Sequence, residues 1–140
     1  MFVANVERSF AIDRPTMWRM WTEPDHLANW FRPSAEGFGP SVAKVDLRPG
    51  GAYRIEMVAL DGDVHAVSGQ FVDVDEPSHL SFTWTWDGQS HESLVDVRFV
   101  EDADGRTSVA VTHTRLQSEE DAEAHREGWV GCLEVLARTN

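Results

Sequence analysis

Apolar and polar positions alternate loosely from Phe2 to Ile12, with Phe2, Ala4 and Val6 set against Val3, Asn5 and Glu7, which predicts an opening strand over residues 2–12. The period then lengthens. Pro15 suits the first turn of a helix, and Met17, Trp18, Met20 and Trp21 recur at helical spacing up to Thr22. Glu23-Pro24-Asp25 starts a second short helix carrying Leu27, Trp30 and Phe31, which Pro33 ends. The Gly/Pro/Ser-rich stretch 33–41 reads as a loop.

From Val42 the period falls to two. A short strand is predicted over Val42–Leu47, and Arg48-Pro49-Gly50-Gly51 turns the chain. Tyr53, Ile55 and Met57 alternate with Ala52, Arg54 and Glu56, and Asp61-Gly62-Asp63 is a hairpin signal from which Val64–Val74 returns. Leu80, Phe82, Trp84 and Trp86 follow, then Val95, Val97 and Phe99, then Val109, Val111 and His113, each run separated by turn residues. The spacing describes a meandering antiparallel sheet of about six strands after the first. Ser118 is a candidate N-cap for a closing helix, with Glu119, Glu120 and Asp121 where the helix dipole favours anions. On that helix Ala122, His125, Trp129, Cys132, Leu133 and Leu136 share one face, and Glu123, Glu127, Glu134 and Arg138 the opposite one. Between them runs a line of Ala124, Gly128, Gly131 and Val135, read as a surface that lets the helix approach a neighbour closely.

The order of elements, α+β with a curved antiparallel sheet of six to seven strands around a long C-terminal helix and two short helices after the first strand, resembles the helix-grip layout of START-like (SRPBCC) domains. Four segments resemble the Aha-type branch of that superfamily, the stand-alone homologues of the C-terminal domain of Hsp-90 ATPase activators. They are MWRMWTEPDHLANWF (17–31), DLRPGGAYRIEM (46–57), DEPSHLSFTW (75–84) and REGWVGCLEVL (126–136), in the family's order, with the similarity running over about residues 5–138. The resemblance implies an apolar cavity between sheet and helix, which relatives use for lipids, hydrophobic hormones or polyketides undergoing cyclisation, and it implies a link to stress response. The eukaryotic co-chaperones carry a further N-terminal domain for which residues 1–140, taken as one START-like domain, leave no room.

The alternation places Tyr53, Ile55, Met57, Phe82, Trp84, Trp86, Val97, Phe99, Val111 and His113 on the inner face of the sheet, opposite His125, Trp129 and Cys132 on the helix. Any one of these reads most simply as core. As a set they combine aromatic groups, one tyrosine, two histidines and a thiol, the make-up of an apolar pocket with a few polar anchors. His113 and His125 each interrupt an apolar stripe and are the candidate catalytic groups, as ligand donors or as a general base near neutral pH. The alternative is that each is a core or rim histidine satisfied by its surroundings. Trp18, Trp21, Trp30 and Phe31 read either as core closing one end of the sheet or as a cavity gate with loop 33–41 as its moving part.

Composition narrows the partners. The 140 residues hold 24 acidic against 12 basic groups, a formal charge of −12, which repels phosphate backbones and anionic membranes. With Cys132 as the single cysteine, neither an intrachain disulfide nor a thiolate cluster can form, and it reads as a buried structural thiol. His65, His79 and His91 have no metal-ligand spacing, so no metal and no cofactor are expected. No signal peptide or membrane span is evident, giving a cytoplasmic expectation, as a monomer or a homodimer through the small-residue line or a sheet edge. Three functions follow: a binding protein for a small hydrophobic or aromatic molecule, a cyclase-like or hydrolase-like enzyme using a pocket histidine, and a chaperone- or partner-interacting protein.

Overall fold

The computed structural model describes residues 2–139. Strand β1 (Phe2–Phe10) leads into helices α1 (Arg14–Thr22) and α2 (Pro24–Trp30), and six further strands follow: β2 (Val42–Val45), β3 (Ala52–Val58), β4 (Val64–Asp75), β5 (His79–Trp86), β6 (Ser93–Glu101) and β7 (Thr107–Leu116). Helix α3 (Glu119–Arg138) closes the chain. The seven strands form one sheet in the order β1-β7-β6-β5-β4-β3-β2. Every neighbouring pair is antiparallel. The meander is thus as the alternation predicts, and β1 joins it beside β7.

Two strand ends fall short of the expected bounds, for local reasons. The first strand stops at Phe10 instead of residue 12, because the chain bends to bury Ile12, whose carbonyl accepts a hydrogen bond from Thr107 Oγ1 at 2.7 Å. Strand β2 stops at Val45 instead of Leu47, because Asp46 N–H donates to the Ala52 carbonyl and Arg48 N–H to that of Asp46, curling the backbone into the turn.

Helix α3 starts as its sequence predicts. The Ser118 hydroxyl accepts from Asp121 N–H at 3.0 Å while the Asp121 carboxylate accepts from Gln117 N–H at 3.0 Å, a reciprocal cap on the first turn. The helix packs chiefly on β1, β7 and α2, at one side of the sheet. There Leu133, Val135 and Leu136 are buried against Phe10, Val109 and Val111 in a continuous apolar cluster, and Arg8 on β1 pairs with Glu134 at 2.6 Å. Strands β3 to β5 curve beneath the other flank of the helix, so the sheet and helix diverge there. That divergence positions the site.

The line of small residues on α3 divides into two unlike halves, which corrects its reading as one packing surface. A Cβ on Gly131 would stand 2.0 Å from the Pro33 carbonyl oxygen, so here the loop after α2 does lie against bare helix backbone. A Cβ on Gly128 would meet nothing within 4 Å. Gly131→Ala is therefore expected to lower folding stability by about 2 kcal/mol, the overpacking cost exceeding the gain in helix propensity. Urea denaturation checks this, and an unchanged midpoint would contradict the close approach.

Candidate functional site

Between the diverging helix and sheet lies an apolar cavity of about 340 Å³. Its inner wall is Phe31 at the end of α2, Met57 of β3, Trp84 of β5, and Trp129 and Cys132 of α3. Pro33 and Phe38 line it from loop 33–41, and the exposed or half-buried His65, Trp86, Ala124, His125 and Gly128 mark the side on which it opens. Phe38 and His65 face each other across the rim with ring centroids 5.8 Å apart. The loop is fastened on several sides. Arg32 Nη1 donates to the Phe38 carbonyl at 2.6 Å, Leu60 N–H to that of Gly37 at 3.0 Å, and Glu36 pairs with Arg138 of α3 at 2.9 Å.

The two inner histidines are held by indoles. Trp129 Nε1–H can only donate, and it lies 3.1 Å from His113 Nδ1, so that nitrogen is an acceptor. The proton of the neutral ring is then on Nε2, donated to Ser93 Oγ at 2.7 Å, and the Ser93 hydroxyl donates onward to the Trp84 carbonyl at 3.3 Å. Every polar atom in this Trp129–His113–Ser93 relay is satisfied, which matters because an unpaired buried group costs about 1–3 kcal/mol. Burial, reinforced by the neighbouring His125, pushes the His113 pKa down to about 3. His125 lies beside it, with its ring centroid 4.7 Å from that of His113. Trp86 Nε1–H donates to His125 Nε2 at 3.1 Å, and His125 Nδ1–H donates to the Asp121 carbonyl at 2.8 Å. Desolvation pushes the Cys132 thiol up to about 12.

The expected site residues separate into three groups. Met57, Trp84, Trp86, His125, Trp129 and Cys132 meet at the cavity. Tyr53, Ile55 and Phe82 lie instead around a cleft of about 20 Å³ further along the sheet, where the Tyr53 hydroxyl donates to the Thr83 carbonyl at 2.5 Å and burial raises its pKa. Val97, Phe99 and Val111 are enclosed in the filled core, and His113 is fully buried behind the cavity wall. Of the four suggested gate residues, Phe31 alone reaches the cavity. Trp18 and Trp21 pack edge-on against Phe99 at 5.7 and 5.9 Å, and Trp30 donates its indole N–H to the Met20 carbonyl at 2.8 Å. Pro33, Phe38, His65, Ala124 and Gly128 were not singled out as lining residues by sequence reasoning. A lone phenylalanine in a Gly/Pro-rich loop is the sequence signal that marks one of them, Phe38. Among the described residues no three His, Cys, Asp or Glu side chains converge as metal ligands, and no helix is long and apolar enough to cross a membrane.

A curved antiparallel sheet gripping a long C-terminal helix, with a cavity between them, defines the START-like class. Within it the chain belongs to the activator of Hsp90 ATPase homolog 1-like family, whose model matches residues 12–139. A protein from Chromobacterium violaceum has the same fold with a TM-score of 0.86 at 22% identity, over 98% of this chain and 95% of that one. An AHSA1 protein from Silicibacter pomeroyi is 25% identical over 98% of this chain and 96% of its own, with a TM-score of 0.80. An HSP90 activator from Plasmodium falciparum superposes with a TM-score of 0.73 at 18% identity, over 97% and 96% of the two chains. No curated protein matches this sequence significantly.

The depressed His113 pKa makes a prediction with a definite sign. Between about pH 6.5 and 3 the unfolded chain binds a proton at this position that the folded chain refuses, so this group's contribution is complete above pH 6.5 and is lost as pH falls. From pH 7 to 5 the loss amounts to about 2 kcal/mol. His113→Gln, which can accept from Trp129 and donate to Ser93 without titrating, is expected to flatten the pH dependence over that interval by this amount. Parallel urea-denaturation series on the two proteins measure it, and equal slopes would contradict the buried neutral imidazole.

Proposed function

We propose that this protein binds a small, uncharged aromatic or hydrophobic molecule in the cavity between sheet and α3, without converting it. The observation that carries the reading is the cavity itself: about 340 Å³ of apolar space left open beside a tightly filled core. That volume is at the lower end of ligand sites, which run from about 300 to 1,000 Å³, and suits a molecule of about two or three rings. No lysine, arginine, aspartate or glutamate lies on the wall, so a charged ligand would lose its hydration without gaining a partner.

Binding is favoured over turnover because both candidate bases are already engaged. His113 gives one nitrogen to Trp129 and the other to Ser93, and His125 gives one to Trp86 and the other to Asp121, whose carbonyl is 2.8 Å and carboxylate 3.2 Å away. A cyclase-like reaction would require one of them to release an indole. The kinship with Hsp90 activators is one of family and fold.

The test is titration with N-phenyl-1-naphthylamine, an uncharged fluorophore that brightens in apolar surroundings. The proposal predicts a saturable enhancement at one site per chain, with a Kd on the order of 1–10 µM, and quenching of tryptophan emission in step with it. Enhancement that is absent, or that does not saturate, would sink the cavity-binding reading.

A further inference from the structure

Gly128 sits in the interior of α3, where glycine is a poor helix former. Two physical reasons usually justify glycine in such a place, and neither applies. Its φ is not among the positive values that favour glycine, which occur at Gly50, Gly62, Gly88 and Gly105. Nor does a neighbour press on it, since an added Cβ would find no atom within 4 Å. Gly131, one turn away, provides the contrast, because there a Cβ would collide with the Pro33 carbonyl at 2.0 Å. What Gly128 does border is the opening of the cavity, next to Ala124 on the preceding turn. Ala124 and Gly128 therefore form one side of the entrance, while the rings of Trp86, His125, His65 and Phe38 form the others.

We propose that Gly128 is the specificity-determining position of this cavity, its missing side chain leaving the α3 backbone as a flat wall against which the face of a planar, uncharged ring system rests. The proposal rests on the ligand-binding reading above and deepens it. Gly128 lines the cavity and has open space around it, so a side chain longer than a methyl group has room to occupy the entrance. Trp84 and Trp86 offer π faces and edges on the sheet side, and planar molecules pack against such surfaces with more contact than globular ones do. The helix accepts a weak position to keep that space clear.

Four proteins and one probe test this: the wild type, Gly128→Ala, Gly128→Met and Gly128→Leu, each titrated with N-phenyl-1-naphthylamine and melted. Gly128→Ala is expected to bind within about threefold of wild type and to raise Tm by about 3 °C, because a better helix former enters vacant space. Gly128→Leu and Gly128→Met are expected to keep a cooperative transition at or above the wild-type Tm and to weaken probe binding at least about tenfold. Methionine, being flexible, reports the same loss should leucine disturb folding. On the wild type, planar 2-naphthol is expected to displace the probe and globular 1-adamantanol is not. Leucine and methionine variants that bind the probe as well as wild type would overturn the proposal while leaving the cavity reading standing. So would equal displacement by the two alcohols, or a lowered Tm in Gly128→Ala. A wild type that binds no probe would overturn both.

Discussion

The relation between helix and sheet depends on one buried polar junction. Trp129 on α3 donates to His113 on β7, which donates to Ser93 on β6, which donates to the backbone of Trp84 on β5. Four elements are tied by a chain in which every donor has one acceptor at a set height above the sheet. Apolar contacts alone would let the helix settle at many heights, since hydrophobic burial is not directional. Breaking one link of the junction leaves an unpaired buried group at about 1–3 kcal/mol, a large fraction of a small domain's net stability. The junction therefore does more than fill space. It ties the helix to β7, while the Arg8–Glu134 pair and apolar contacts hold it over β1, and the cavity opens on its other flank.

The cavity follows from that placement, and its character follows from what encloses it. The chain carries a formal charge of −12, yet its charged groups stay off the cavity wall. Arg32 and Arg138 are spent on holding loop 33–41 in place instead of facing a ligand. Trp86 and Trp129 supply N–H groups to two imidazoles, which places polar atoms near the cavity without leaving them free to react. Among the described residues the enclosed indole N–H groups of Trp84 and Trp21 have no such partner. An uncharged cavity wall under an anionic surface is the setting that the proposed neutral guest requires.

The architecture was legible because it is written in periods and caps. The switch from helical spacing to alternation at Val42, the turn residues between strands and the Ser118 cap are local signals, and four segments of family wording agreed with them. The cavity was only half legible. Alternation tells which face of the sheet Phe82, Val97 or Trp84 occupies, but not how far the helix stands above each one. That distance depends on the helix lying toward β1, a long-range packing outcome. The lining by Phe38 and Pro33 depends on how a loop is clamped, which no periodicity encodes. Gly128 and Gly131 look alike in the chain and differ only because Pro33 lies against one of them.

The central claim is that the imidazole at the heart of the fold is a fixed structural relay, neutral and doubly engaged, and not a reactive base. Long-range proton–nitrogen correlation NMR of the histidine rings tests it most directly. At pH 7 and at pH 5, His113 is predicted to show an unprotonated Nδ1 and a protonated Nε2, with the Nε2 proton in slow exchange with water. A His113 ring that is doubly protonated at pH 5, or that carries its proton on Nδ1, would contradict the account.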